Sequence, residues 1–426
     1  MIRADAVLRW VRRRCKRWTA RMVGAVLAAM ALGRSRSQID SAPSPTEAAD
    51  PVRLRRWLEH LGASARILVI RVDERVGNVL LTTPVLLALR AAFPLADLDV
   101  LLAASKQDLV EGLANVRTFE KRDAFRRPGT FIAGLFALRR RRYHLAIDAS
   151  HWHQFSLTHA LLLAWTRASV RIAHDRGDAI RFATHLVPSG ASDVSGVPDV
   201  SSVSDVSARG GEIDRKLALL RPLGANGDPT SMTTPLGDGA SDHLEAEGVL
   251  RDLGLSGRRV VGLMPGSRKH DHRAPLAVFE ALAAVTRDLG AVPLILWGPS
   301  EKDIAATLAV RCGAVLAPAT DLRRLAALVR RLAATVANDT GTMHLAVACK
   351  TPTLTLFVGG DPLRWGHTYG RHEVIAAEGR PDASVVHDAR AALERMLFCE
   401  DPREDRRENP PKAFDEGVLN KPRRRA

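Results

Sequence analysis

Apolar residues recur along this chain in two rhythms. Short β-branched runs, RILVIRV (66–72), DLDVLLA (97–103), AIDAS (146–150) and SVRIAHD (169–175), are separated by stretches in which apolar residues return every three or four positions. Examples of the second kind are VLLTTPVLLALRAAF (79–93) and the segment opening LFALRRRRYH at 135. The first rhythm predicts strands and the second predicts helices. Strands alternating with helices pair in parallel through right-handed crossovers, so residues 66–175 predict one α/β unit.

The rhythm stops at 189–211. There SDVSGVPDVSSVSDVS repeats Ser, Asp and Val around Gly and Pro and offers no face to pack, which predicts a disordered surface insertion. It resumes with EIDRKLALLRPLG (212–224), a helix ended by Gly. A second α/β unit follows a polar stretch at 225–242: RRVVGLMPGS (258–267), a helix near 275–289, VPLILWG (292–298), helices near 301–312 and 322–333, TVANDTG, and PTLTLFVGG (352–360). The expected organisation is an arm and linker (1–52), a first unit (53–224), a connector (225–242), a second unit (243–399) and a disordered charged tail (400–426). Two α/β units of similar size leave a cleft between them, and ligands of open parallel sheets sit beyond the carboxyl ends of the strands.

Composition changes this picture only at the ends. The 426 residues carry a net charge of +15, but ten Arg or Lys face one acid within residues 1–38. The basicity is mostly an arm and not a groove, and no aromatic cluster alternates with the basic residues, so a nucleic-acid partner is not expected. Val7, Val11, Cys15, Trp18 and Met22 step by three or four among arginines, a basic amphipathic helix that anionic lipid would attract. MVGAVLAAMALG (22–33) is too short to span a bilayer. Residues 1–33 are therefore expected to attach to an anionic membrane surface. A signal-peptide apolar region with an A-x-A-like site at 29–31 and a functionally neutral arm are the other readings. Cys15, Cys312, Cys349 and Cys399 lie far apart with no metal-like spacing, which favours a reducing compartment.

Candidate chemistry lies just after the strands. MPGSRKHDHR (264–273) leaves one through Pro-Gly-Ser into Arg268, Lys269, His270, His272 and Arg273. Ser267 offers a hydroxyl, and a helix start beyond it offers amides to an anion. WGPSEKD (297–303) meets Glu301 at a helix start, either a residue stabilised by the macrodipole or an acid for sugar hydroxyls. In NDTGTMHLA (338–346), Asp339 and Thr340 are N-cap types and Gly341 permits close approach. The amides of Thr340, Gly341 and Thr342 then form a phosphate pocket toward which His344 can lean. A dehydrogenase is excluded because no G-x-G-x-x-G follows the first strand of either unit.

These three loops, in this order and spacing, resemble the carboxyl-terminal half of glycosyltransferase family 9, the bacterial lipopolysaccharide heptosyltransferases. ILVIRVDERVGNVLLTTPVLLALRAAFP (67–94) resembles the family's amino-terminal strand–loop–helix. The resemblance covers roughly 65–185 and 212–395. It implies an α/β protein of two Rossmann-like domains facing across a cleft, the GT-B architecture. It further implies inverting, metal-independent heptose transfer from an ADP-heptose donor to a lipid A-core or related glycolipid acceptor at the cytoplasmic face of the inner membrane, with no cofactor. Asp339, Thr340, Gly341 and His344 match the family's diphosphate and sugar loop, Ser267 its first donor loop and Glu301 its ribose acid. The first loop's basic position falls at His272 or Arg273.

The family's general base is an Asp directly after Gly in the first loop, whereas this chain has Gly77-Asn78, and an amide does not accept a proton usefully. Asp73 or Glu74 can take over, Asp73 being preferred. The same Asn78 motivates the alternative of a non-catalytic sugar-nucleotide-binding or scaffold member. His151, Trp152 and His153 are expected to be interfacial packing and surface, contact with acceptor phosphate or sugar being the other reading.

Overall fold

The computed structural model describes residues 50–188 and 211–398. The amphipathic arm, almost all of the Ser/Asp/Val insertion and the charged tail lie outside the described residues.

Among the described residues, twelve strands form two six-stranded parallel sheets. The first is ordered β3-β2-β1-β4-β5-β6 from β1 (Arg66–Arg71), β2 (Asp97–Leu102), β3 (Asn115–Thr118), β4 (Leu145–Asp148), β5 (Val170–His174) and β6 (His185–Val187). The second is ordered β12-β11-β10-β7-β8-β9 from β7 (Val260–Met264), β8 (Val292–Ile295), β9 (Val315–Leu316), β10 (Ala334–Asn338), β11 (Thr353–Phe357) and β12 (His372–Ala376). Counted within its own unit, each sheet runs 3-2-1-4-5-6, the doubly wound order in which the chain reverses direction between strands 1 and 4. These switch points fall between β1 and β4, paired Ile67↔Leu145, and between β7 and β10, paired Val261↔Ala334.

Sequence explains the central strands well. Residues 67–71 of β1 and all of β7 and β10 are buried, as strands covered by helices on both faces must be, and each reads as a near-continuous apolar run. The edge strands β3, β6, β9 and β12 gave no such run and were not expected, because edges bury less and need less apolar sequence. The helix expected over 79–93 is two helices, Val76–Leu80 and Thr83–Ala92. Pro84 lies in the first turn of the second, where its missing N–H costs nothing. The helix expected over 212–224 is α-helical over Glu212–Leu217 and 3-10 over Ala218–Leu223, and Gly224 ends it at φ +56°.

The connector is not a loose tether. Thr233 N–H donates to Thr83 Oγ1 and Thr234 Oγ1 to the Leu109 carbonyl, while Arg330 donates to the Thr234 carbonyl from the second unit. The cleft is also closed at its floor. One apolar cluster continues from Val79 and Leu80 to Met343 and Leu345, so the short helix after β1 packs against helix Gly341–Ala348 after β10. Among the described residues no helix is long and apolar enough to cross a membrane.

Candidate functional site

At the first switch point β1 delivers Arg71, almost fully buried, whose guanidinium donates to the Ala149 carbonyl at 2.9 Å. The chain then turns on Asp73, whose Oδ1 accepts the Arg75 N–H at 2.8 Å. Asp73 Oδ2 accepts the Asn78 side-chain amide at 2.6 Å and faces Arg71 Nη2 at 3.4 Å. Burial alone would raise this carboxyl, but Arg71, the Arg75 amide and Asn78 outweigh it and hold Asp73 below the ordinary carboxylate range. The carboxylate missing from position 78 is thus supplied against that position by Asp73.

A second network continues from the same point. His151 Nδ1 lies 3.2 Å from Glu212 Oε1, and its Nε2 lies 3.3 Å from the Asn78 amide. A carboxylate accepts only, so Nδ1 carries the proton and Nε2 presents a lone pair. Burial lowers the His151 pKa despite the Glu212 hydrogen bond, which favours this neutral form. Burial would raise Glu212, but His151, Lys216 and Arg364 together hold it ionised. Lys216, buried with its ammonium on the Ala149 carbonyl, is pushed down to about 7 by burial and by Arg71. Arg364, from the second unit, bonds Glu212 at 3.0 Å and stands over Trp365 at 4.4 Å. His151 and Trp152, expected as interfacial packing and surface, are members of a polar bridge between the units. The Glu212 partner 61 residues away left no local signal.

At the second switch point the PGS and DTG loops are fastened to each other. Asn338, wholly buried at the end of β10, accepts the Ala274 N–H at 2.9 Å and donates to the Pro265 carbonyl at 2.9 Å. His272 Nδ1 lies 3.0 Å from Asp339 Oδ2, and Lys269 Nζ lies 3.2 Å from His272 Nε2. Burial raises the Asp339 pKa even against His272. Gly360, at φ +100°, lets the turn after β11 lie on this pair, since a Cβ there would come within 3.0 Å of His272 and 3.1 Å of Asp339. Glu301 folds back to accept the Gly298 N–H at 2.9 Å, and its carboxyl occupies the space a Cβ on Gly266 would need. Arg273 donates to the Ser267 carbonyl at 2.7 Å and braces the loop from behind.

Two expectations are corrected here. No helix starts directly beyond Ser267: the loop makes a 3-10 turn at His270–His272, and the next helix, Leu276–Asp288, opens on Pro275. Asp339 does not cap helix Gly341–Ala348 because His272 holds its carboxylate, and Thr340, at the N-cap, bonds Thr342 Oγ1 at 2.8 Å instead. No side chain caps this helix, so its first amides remain donors directed at the cleft. The loop's cation nearest the DTG turn is Lys269; the sequence placed it in the basic cluster without distinguishing it from its neighbours.

The two switch points meet. A Cβ on Gly77 would lie 2.4 Å from His344, and one on Gly341 would lie 3.5 Å from Val76. His344 is buried, with Nδ1 2.9 Å from His367 Nε2, and burial pushes it down to about 4, so it is neutral. Beside this contact opens a cleft of about 270 Å³, lined from both units by Val76, Lys106, Met264, Trp297, Glu301 and Thr342. A groove of about 430 Å³ between helices Ala240–Asp252 and Leu322–Arg330 is larger but reaches none of these loops.

Paired doubly wound units with a cleft walled by both sets of strand-end loops define the GT-B architecture. Residues 201–391 match the family model described as glycosyltransferase family 9 (heptosyltransferase). Lipopolysaccharide heptosyltransferase 3 of Escherichia coli is 24% identical over 302 residues, 68% of this chain and 82% of that protein. Among solved structures, the glycosyl transferase family 9 protein from Veillonella parvula shares the fold at TM-score 0.61 with 18% identity, covering 78% of this chain and 97% of that one. E. coli heptosyltransferase WaaC with ADP does so at 0.57 with 18% identity, covering 78% and 99%. Residues 201–391 are thus those of glycosyltransferase family 9, and this match together with the lipopolysaccharide heptosyltransferase relatives supports a glycosyltransferase.

Proposed function

We propose that this glycosyltransferase moves a heptose from an ADP-heptose donor to the lipopolysaccharide core or a related glycolipid, with inversion and without a metal or other cofactor. The donor diphosphate would rest on the first amides of helix Gly341–Ala348 and on Thr340, with Lys269, His272 and neutral His344 around it. Ser267 would add a hydroxyl and Glu301 would take the ribose. A leaving nucleoside diphosphate accumulates negative charge, and a helix amino end with nearby cations stabilises it as it forms. Asp73 would remove the proton from the acceptor hydroxyl, held by Asn78 and faced by His151, whose lone pair Glu212 fixes. The reaction is proposed for the cytoplasmic face of the inner membrane, where donor and glycolipid meet.

One observation supports this reading above the others: the edge of His344 fills the space above Gly77, setting the Asp73–Asn78 pair beside the amino end of the DTG helix. The test is ADP release from ADP-heptose, with and without lipid A-core acceptor and with EDTA present, followed by the anomeric configuration of the product. Asp73→Asn should lower kcat by about 10²-fold or more while ADP still binds, the usual scale for a general base. Full activity in Asp73→Asn would remove Asp73 from the role. ADP binding with no transfer to any such acceptor would favour the non-catalytic alternative that Asn78 raises.

A further inference from the structure

Helix Pro128–Arg140 has no polar face. Its sequence, PGTFIAGLFALRR, buries Leu135 and Leu138 against the first sheet, yet turns another apolar stripe outward. Ile132 is 41% and Phe136 39% exposed on it, and Phe125, one turn before the helix, is 55% exposed. A helix apolar on all sides is ordinarily covered on all sides. Phe136 is held in place by edge stacking on Trp165 at 5.6 Å and does not fold back into the core.

Charge decides what covers it. Residues 124–147 contain six arginines and no acid. Arg141 is taken by Asp97 and Asp99 and Arg139 lies over Trp165, but Arg126, Arg127, Arg140 and Arg142 form no ion pair among the described residues. Cations therefore bracket the apolar stripe at both ends. A second copy docking through this face would bring like charges together. An anionic bilayer suits it: the arginines meet headgroups while Phe125, Ile132 and Phe136 enter the acyl boundary, with the helix lying in the interface plane. The helix leads into β4, so its amino end, with Phe125, Arg126 and Arg127, lies at the carboxyl edge of the sheet, the edge that carries Asp73 and His151.

We propose that helix Pro128–Arg140 and the turn before it are a docking surface for an anionic lipid bilayer, separate from residues 1–33, and that it turns the acceptor side of the cleft toward the membrane. The docking stands on this surface alone; its purpose rests on the glycolipid acceptor proposed above.

The experiment is co-sedimentation of the full-length chain with vesicles of equimolar phosphatidylethanolamine and phosphatidylglycerol, and with phosphatidylcholine vesicles. Arg126→Glu with Arg127→Glu, and separately Phe125→Ser with Ile132→Ser, should each weaken binding to the anionic vesicles by about tenfold or more, at unchanged melting temperature and ADP affinity. In Ile132→Trp, brominated acyl chains should quench the new fluorescence relative to the parent chain. Unchanged binding in both pairs, as when residues 1–33 alone hold the vesicle, overturns the proposal. So does equal affinity for phosphatidylcholine, or a loss confined to nucleic-acid binding or to self-association. Vesicle binding through the helix by a protein that transfers no sugar would leave the docking standing and remove the transferase reading.

Discussion

At the residue scale the site depends on a few side chains that bind loops to loops. Asn338 is the clearest. Its amide joins the strand end of β10 to the Pro265 carbonyl and to the Ala274 N–H, and it does so wholly buried. Asn338→Leu would leave those backbone groups without partners, at a cost of about 2–3 kcal/mol. The expected result is a lower midpoint in urea with an unchanged slope, and ADP binding weaker than stability alone explains. Asp73 belongs to this scale too. The Gly-Asn pair was legible in the sequence, and so was the need for another carboxylate. That Asn78 donates to Asp73 was not, because a hydrogen bond across five residues of irregular loop follows no periodicity. The same holds for Glu212 and His151, whose pairing is a product of the fold.

At the element scale, two short helices set the geometry: Val76–Leu80 after β1 and Gly341–Ala348 after β10 pack amino end to amino end. Gly77 is the contact that permits it. Gly77→Ala would drive a methyl group into the His344 ring and push the loops apart, and misplacing reacting groups by about 1 Å costs on the order of 10²-fold in rate. We expect kcat/KM for donor and acceptor to fall by about that factor with the sheets intact by circular dichroism. A wild-type rate would mean that the two helices do not cooperate in the reaction. The sequence marked a close approach at Gly341, but not that Gly77 and Gly341 face each other's helices. It also placed a helix start just past Ser267, where a 3-10 turn lets His272 reach Asp339 instead.

For the whole molecule, burial of histidines sets the response to acid. His159 and His344 are pushed down to about 4 and His174 to about 3, in each case first by burial. Unfolded, each would titrate near 6.5. Between that value and about 4 the unfolded chain binds more protons than the native one, so stability rises with pH through this window and is fully present above it. The expected outcome from these imidazoles is a melting temperature that falls steadily below about pH 6.5, while Lys216, at about 7 in the fold, adds a separate rise with pH above that value. His344→Gln should flatten part of that slope. A flat profile from pH 7 to 4 would show that these imidazoles protonate without cost. At the same scale Arg364, reaching Glu212 from the second unit, makes the bridge between the halves part of the site.

By itself, the sequence determined two parallel α/β units, their central strands and the strand-end loops that hold the candidate chemistry. Those features depend on apolar periodicity and on local turn residues, which act over a few positions. Only the tertiary structure decided which strand ends meet, that the Asp73 carboxylate lies against the Asn78 amide, and that one helix keeps an apolar face outward. Such facts are contacts between residues far apart in the chain. They are fixed by the strand order and the packing of the two units, which no local pattern encodes.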